Sequence, residues 1–404
     1  MQIGPHGFLH LTYCTKIHPS RGWQDQFAQL REHVPQLKAR VSPEQPFGLG
    51  LRLSAAESLE LLAGDNLERF RDFLARHHLY VFTLNGFPFG ALDGPRVKDR
   101  IFAPDWREEA RLRYTLRLIE ILRRLLPPGV EGGISTVPLS YKPWLARDRA
   151  GALGRITANL ARVAARLAEI YAVEGSLIHL DLEPEPDGEL ERSEEVVSFY
   201  RNWLLKEGAA RLAQEAGLSL SQARERLLRH LRICLDTCHL AVEFEDPAAV
   251  LQAFSREGIK VGKVQITSGL EVAPLPDPES RAAAARQLSA FTRSPYLHQV
   301  IIRGRDGTRR QFRDLAQALP YLGAGPREPW RIHYHMPLFV ERHGLLASTG
   351  GETRKVLQLL GERPFCRHLE IETYTWEWLP PGLKLDLLES LHREYLWVLE
   401  ALGA

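Results

Sequence analysis

Short apolar runs alternate with longer segments of helical period from one end of the chain to the other. The runs Phe8–Thr15, Phe47–Leu53, Leu79–Leu84, Gly133–Val137, Leu177–Leu182, Ile233–Thr237, Val261–Thr267 and His368–Thr373 read as strands. Several are apolar throughout rather than alternating, as expected of parallel strands covered on both faces. Between them Trp23–Arg40, Arg107–Leu126, Ile156–Tyr171, Glu194–Ala213 and the terminal Leu383–Leu402 carry apolar stripes at helical spacing. Eight strands with intervening helices and no linker-like break predict one α/β domain over residues 1–404, a closed (β/α)8 TIM barrel. An open doubly wound sheet is the alternative, disfavoured because no GxGxxG follows the first strand.

The spacing fails once, between Thr267 and His368, a stretch too long for one βα unit. Within it HQVIIRGRDGTRRQFRDL reads as a hairpin turning at Asp-Gly, and Trp330–His335 as a further short strand. Residues 268–340 are therefore expected to form an insertion after the seventh strand, over the barrel mouth, acting as a lid or a partner surface.

Composition narrows the function classes. The 52 basic and 50 acidic residues give a net charge of +2, with no sign of an electrostatic nucleic-acid binder. No apolar stretch approaches the roughly 20 residues of a membrane helix. The opening MQIGPHGFLHLTYCT lacks the basic start and long apolar centre of a signal peptide, so a cytoplasmic address is expected. The four cysteines show no CxxC pair and are expected buried and reduced.

Strand after strand ends in a polar residue: Thr15 and His18, Asn85, Thr136, Glu183, then Asp236 and His239, Gln265, and finally Glu370 and Glu372. In a barrel all these ends converge on one mouth. In CLDTCHL, Asp236 and His239 are spaced to face the same divalent cation, although Asp236 also reads as the cap of the next helix. In HLDLEPEP, Asp181 and Glu183 share a strand face, and two inward carboxylates call for a cation or a shared proton. Glu185 and Asp187 are expected in solvent. Of the eighth-strand pair, Glu372 is expected in the site and Glu370 in a salt bridge lower down. In HYHMP, His333 and His335 lie at i, i+2 and are candidate ligands, with His335 preferred. Gln265 is expected to bond substrate or a metal-bound water. The hairpin arginines Arg303, Arg305, Arg309 and Arg310 are expected to be a solvated charged turn.

TYCTKIHP, FTLNGFPFG with the following GPRVKDRIFAPDW, ISTVPLSYKPW, HLDLEPEP and CLDTCHLAVEFEDP together resemble the EboE family of metabolite traffic proteins, over about residues 8–380. That family is similar to the xylose isomerase-like barrels, which include sugar isomerases, ketose epimerases and endonuclease IV. The resemblance implies a divalent metal (Mn, Zn, Fe, Co, Ni or Mg) on Glu183, Asp236, His239 and Glu372. HYHMP resembles the D-x-H element of the endonuclease branch, which puts His335 on a metal, with His333 in place of the Asp. Gln265 departs from the pattern, since relatives usually have His there.

The expected activity is metal-assisted proton transfer beside a carbonyl of a small metabolite, with Glu183 and Glu372 as base and acid. His18, Asn85, Gln265 and His333 are the expected substrate contacts. Aromatic residues at the loops (Trp23, Phe87, Phe89, Trp106, Trp144, Trp376, Trp378) suit an aromatic or prenyl-like ligand. Hydrolysis of a small phosphoester is the second reading, and metabolite binding without catalysis the third. Other proteins of the same pathway are the expected macromolecular partners.

Overall fold

The computed structural model describes residues 1–4, 7–90, 98–324 and 328–403. Residues 94–97, which open the GPRVKDRIFAPDW string, and residues 325–327 of the insertion lie outside them. Eight parallel strands form the frame: β1 (Leu9–Tyr13), β2 (Phe47–Arg52), β3 (Leu79–Asn85), β4 (Gly132–Thr136), β5 (Ile178–Leu182), β6 (Leu231–Asp236), β7 (Val261–Ile266) and β8 (His368–Ile371). Each starts within a few residues of its expected position. All are almost wholly buried, because helices cover the outer face and side chains fill the inner one.

The strands pair in chain order from β2 to β8, and β8 pairs with β1. Side chains close the remaining seam between β1 and β2. Only one isolated backbone bridge, Cys14 to Gly50, is found there among the described residues. The Thr12 hydroxyl donates to Gly48 O at 2.9 Å and accepts from Gly50 N at 2.8 Å. Thr15 Oγ1 accepts from Arg52 N at 2.9 Å. Thr12→Val should therefore leave two buried backbone groups unpaired and lower stability by about 1–3 kcal/mol. Urea unfolding measures this, and a loss within error of zero would mean that the seam does not depend on the hydroxyl.

The expected helix over Glu194–Ala213 is observed as Ser193–Phe199, a π-helical Tyr200–Gly208 and then Ala209–Ala216. The wide turns bring Gly208 against the Arg149–Glu174 helix, where a Cβ would lie 3.1 Å from Thr157 Cγ2. Trp23 and Trp106 are fully buried and do not line the mouth. Trp23 packs against Phe27 and Phe70, and Trp106 Nε1 donates to Thr136 Oγ1 at 3.2 Å. The four thiols are free and buried. No helix among the described residues is long and apolar enough to cross a membrane.

Barrel interiors are usually filled by branched aliphatic side chains. Here ionisable groups occupy much of that space. His179 Nδ1 lies 2.6 Å from Asp181 Oδ1, and Lys263 Nζ lies 2.8 Å from Glu370 Oε2, all four residues fully buried. Glycines make the room. A Cβ on Gly50 would strike the Glu370 carboxylate and one on Gly262 the Asp181 carboxylate. One on Gly133 would lie 2.9 Å from His368 Nδ1.

Between β7 and β8 the chain builds a second, six-stranded antiparallel sheet. Its order is Arg309–Phe312, Val300–Arg303, Trp330–Ile332, Leu270–Val272, Leu346–Ser348, Arg342–His343. It has its own apolar core around Leu288, Phe291, Val300, Trp330 and Tyr334. The sheet reaches the loops after β5 and β6. Gln299 Nε2 donates to Pro186 O, Gln311 Nε2 to Asp187 Oδ1, and Arg331 Nη1 to Ala241 O. Of the hairpin arginines, Arg303, Arg305 and Arg310 are exposed as expected, the first and last lying over Phe244 and Tyr321, whereas Arg309 pairs with buried Glu243.

Candidate metal centre

The C-terminal ends of β5, β6 and β8 and the chain leaving the inserted sheet meet at the barrel mouth. Asp236 ends β6 and caps the helix Thr237–Val242. Its Oδ1 accepts from Cys238 N (2.7 Å), His239 N (3.0 Å) and Thr267 Oγ1 (2.5 Å). Oδ2 is buried and has no partner. The capping and site readings of this residue thus apply to different oxygens. Burial raises the carboxyl to about 7, against the lowering by those three hydrogen bonds.

Three imidazoles share one arrangement. His239 Nδ1 lies 2.9 Å from Pro184 O, His333 Nδ1 2.8 Å from Gln299 Oε1, and His335 Nδ1 2.7 Å from Glu372 O. A carbonyl oxygen only accepts, so each Nδ1 carries the proton and each Nε2 presents a lone pair. His239 Nε2 and His333 Nε2 face each other at 3.1 Å, and Nε2 of His335 has no partner and lies 3.7 Å from Asp236 Oδ2. Burial lowers His239 to about 3 and holds His333 and His335 well below the usual histidine range, so all three are neutral.

Glu183 follows β5 and is 3% exposed, with Oε2 unpartnered. Burial, and then the nearby Glu372 and Asp236, push its carboxyl well above the ordinary range. Asp181, on the same strand face, is turned to His179 below and takes no part. Ligand atoms of Glu183, Asp236 and His239 lie within 4.8 Å of one another, as do those of Asp236, Cys238 and His335, and those of His239, His333 and His335. Unpaired lone pairs on buried carboxylates and neutral imidazoles are what a divalent ion satisfies, so these residues fit one.

Glu372 stands outside these triads. Its Oε1 accepts from Asn85 Nδ2 at 3.1 Å and lies 3.7 Å from Lys16 Nζ. Burial raises it to about 7 while Lys16 draws it down. Gln265 is fully buried with both amide atoms unpartnered. His18 is not central. Its Nε2 meets Tyr13 Oη at 2.9 Å and its ring stacks on His33.

Glu185 and Asp187 are buried, contrary to the sequence expectation, because Gln299 and Gln311 of the inserted sheet cover their loop. Glu185 Oε1 lies 3.9 Å from His333 Nδ1, and burial raises the carboxyl well above its usual value. Sequence reasoning also passed over Cys238 and Lys16. A lysine directly after an apolar strand, in the TYCTKIHP string, was the available signal for the second. Lys16, 3.7 Å from Glu372, draws down all four of the buried carboxyls Glu183, Glu185, Asp236 and Glu372.

A xylose isomerase-like TIM barrel protein from Mycobacterium smegmatis, in complex with magnesium, matches at 12% identity over 98% of this chain and 96% of its own, with a TM-score of 0.50. The IolI protein with a bound zinc atom matches at 11% over 98% of both chains, TM-score 0.48. A xylose isomerase domain protein from Alicyclobacillus acidocaldarius matches at 12% over 98% and 99%, TM-score 0.46. No family model matches the chain, and no curated protein matches it in sequence. The chain shares the TIM-barrel fold of the mycobacterial protein.

Proposed function

We propose that the barrel mouth binds a divalent cation and moves a proton on a carbon beside a carbonyl of a small metabolite, as an isomerase or epimerase does. The supporting observation is the set of three neutral imidazoles whose Nε2 lone pairs converge beside Glu183 and Asp236. Mixed nitrogen and oxygen donors suit Mn, Fe, Co, Ni or Zn better than Mg, although the like-folded mycobacterial protein carries magnesium. A bound cation would polarise the substrate carbonyl.

The chain supplies the rest. Glu183, buried and unpartnered at Oε2, removes the proton from the carbon. Glu372, held by Asn85 and Lys16, returns one to the opposite face. The Glu372 carboxyl, raised to about 7, suits proton return near neutral pH. Gln265 has an amide free to bond a substrate oxygen. The strings resembling EboE support a place in metabolite synthesis or traffic, alongside other proteins of that pathway.

A specific observation favours hydrolysis of a phosphoester as the second reading. His239, His333 and His335 form a triad that shares only His239 with Glu183 and Asp236, which leaves donors for a second ion.

The test is elemental analysis of protein purified without chelator, beside Asp236→Ala/His239→Ala. Near-stoichiometric metal absent from the variant is the expected result, and two ions per chain would favour hydrolysis. Wild type that holds no metal, and whose melting temperature added metal does not raise, would end the metal reading and leave metabolite binding without catalysis.

A further inference from the structure

We infer that the cleft beside the metal centre is a subsite for a small organic anion, with Lys16 holding the anionic group against an aromatic wall. That this anion is the substrate rests on the reading above; the subsite itself does not.

The cleft opens between the turn after β1 and the chain following β8, and has a volume of about 580 Å³. Lys16 lies on the turn Thr15–Ile17, with its side chain 6% exposed. Its carboxylate partner, Glu372 Oε1, is 3.7 Å away, beyond hydrogen-bond length, and Nζ makes no hydrogen bond among the described residues. The ammonium sits 3.7 Å over the Tyr374 ring, and Tyr296 packs edge-on to that ring at 5.0 Å. A sheltered cation with three donors and no close acceptor is the arrangement an anionic group completes.

The other charges sort themselves. The Arg52 guanidinium is engaged by Glu57 at 3.1 Å and by Gly90 O, so it forms wall rather than ligand contact. Arg293 is exposed at the rim with no ion pair among the described residues, and Glu377 is the rim's acidic group. Trp378, 40% exposed, completes the rim. One ammonium at the floor, one guanidinium at the edge and three aromatic side chains between them suit a carboxylate or phosphate on a flat apolar body.

Isothermal titration calorimetry tests this with benzoate, its neutral isostere benzamide, and inorganic phosphate. Each is titrated into protein as purified and after chelation, with metal content measured on the same samples. One-to-one benzoate binding at least about tenfold tighter than benzamide is expected. Lys16→Met should weaken benzoate by about tenfold or more and Arg293→Ala by a few-fold, and chelated protein should keep the site. Phosphate binding as tightly as benzoate would identify a phosphate ligand, and much weaker binding a carboxylate one.

Equal benzoate and benzamide affinity, or unchanged benzoate affinity in Lys16→Met, overturns the inference. So does benzoate binding confined to metal-loaded protein, or no saturable binding of either anion at about 10 mM. The charge comparison uses wild type, so it holds even if Lys16→Met does not fold. Benzoate bound by protein that never takes up metal would keep this subsite and defeat the metal reading.

Discussion

Freed of metal, the protein is expected to be most stable near pH 6.5 and to weaken as the pH rises from there to about 8. The sign follows from which state holds protons. Asp236, Glu372 and Glu394 are each raised to about 7 by burial, and burial also pushes Glu183 and Glu185 well above the usual carboxylate range, whereas the unfolded chain releases these protons near pH 4. These carboxyls hold more protons in the folded state from about pH 4 upward, so their contribution falls as pH climbs through the folded values, by about 1.4 kcal/mol per pH unit for each proton still held, and above about pH 6.5 the histidines no longer oppose that fall.

Below pH 6.5 the opposite groups take over. His18 and His239 are lowered to about 3, His298 to about 4, and His333, His335 and His368 well below their usual value. Unfolded histidines take up protons there that the folded ones refuse, so acid destabilises. A divalent ion binds the deprotonated carboxylates, and should reverse the decline above pH 6.5 by about 4 kcal/mol at a thousandfold excess over its Kd. Melting temperatures between pH 5.5 and 8.5, with EDTA and with Mn or Zn, give the result. A metal-free curve that keeps rising to pH 8 would mean the mouth carboxylates are already ionised and the centre is not as described.

The second large effect is in the barrel interior. Lys263→Met should cost about 3–5 kcal/mol, because it leaves Glu370 as an uncompensated buried charge. Lys263 also donates to Ser135 Oγ at 3.2 Å, and it is the one cation paired with Glu370 among the described residues. The double variant Lys263→Met/Glu370→Leu removes both charges together and should recover most of the loss. Urea midpoints of the wild type, the single variant and the double variant decide it. A double variant as unstable as the single one would show that the packing around Gly50, not charge pairing, sets the cost.

The barrel strands were legible because burial on both faces makes each an apolar run, and because parallel strands end in a common direction. Asp236 and His239 were legible for a local reason, as their spacing needs only a strand end and one helical turn. The inserted sheet was mostly hidden. Leu270–Val272, Arg342–His343 and Leu346–Ser348 are too short to show alternation, and their pairings are remote in sequence. His333 and His335 both face in, as i, i+2 neighbours in extended chain can, and what was hidden is the partner that fixes His333: Gln299, remote in sequence, holds its ring beside His239. The place of Lys16 after an apolar strand is only a faint signal in sequence, and the closure of β8 on β1 is what sets it against Glu372 and Tyr374.

The glycines of β2, β4 and β7 have a consequence for how the molecule responds to temperature. At Gly50, Gly133 and Gly262 the strands give up side-chain volume, and carboxylates and imidazoles from their neighbours occupy it. Unfolding therefore hydrates charged and polar atoms where an aliphatic-filled barrel would hydrate hydrocarbon. Polar hydration lowers the heat-capacity increment that apolar hydration raises. The free energy of this barrel should accordingly curve less steeply with temperature, giving it a broader range of stability on both the warm and the cold side of its maximum.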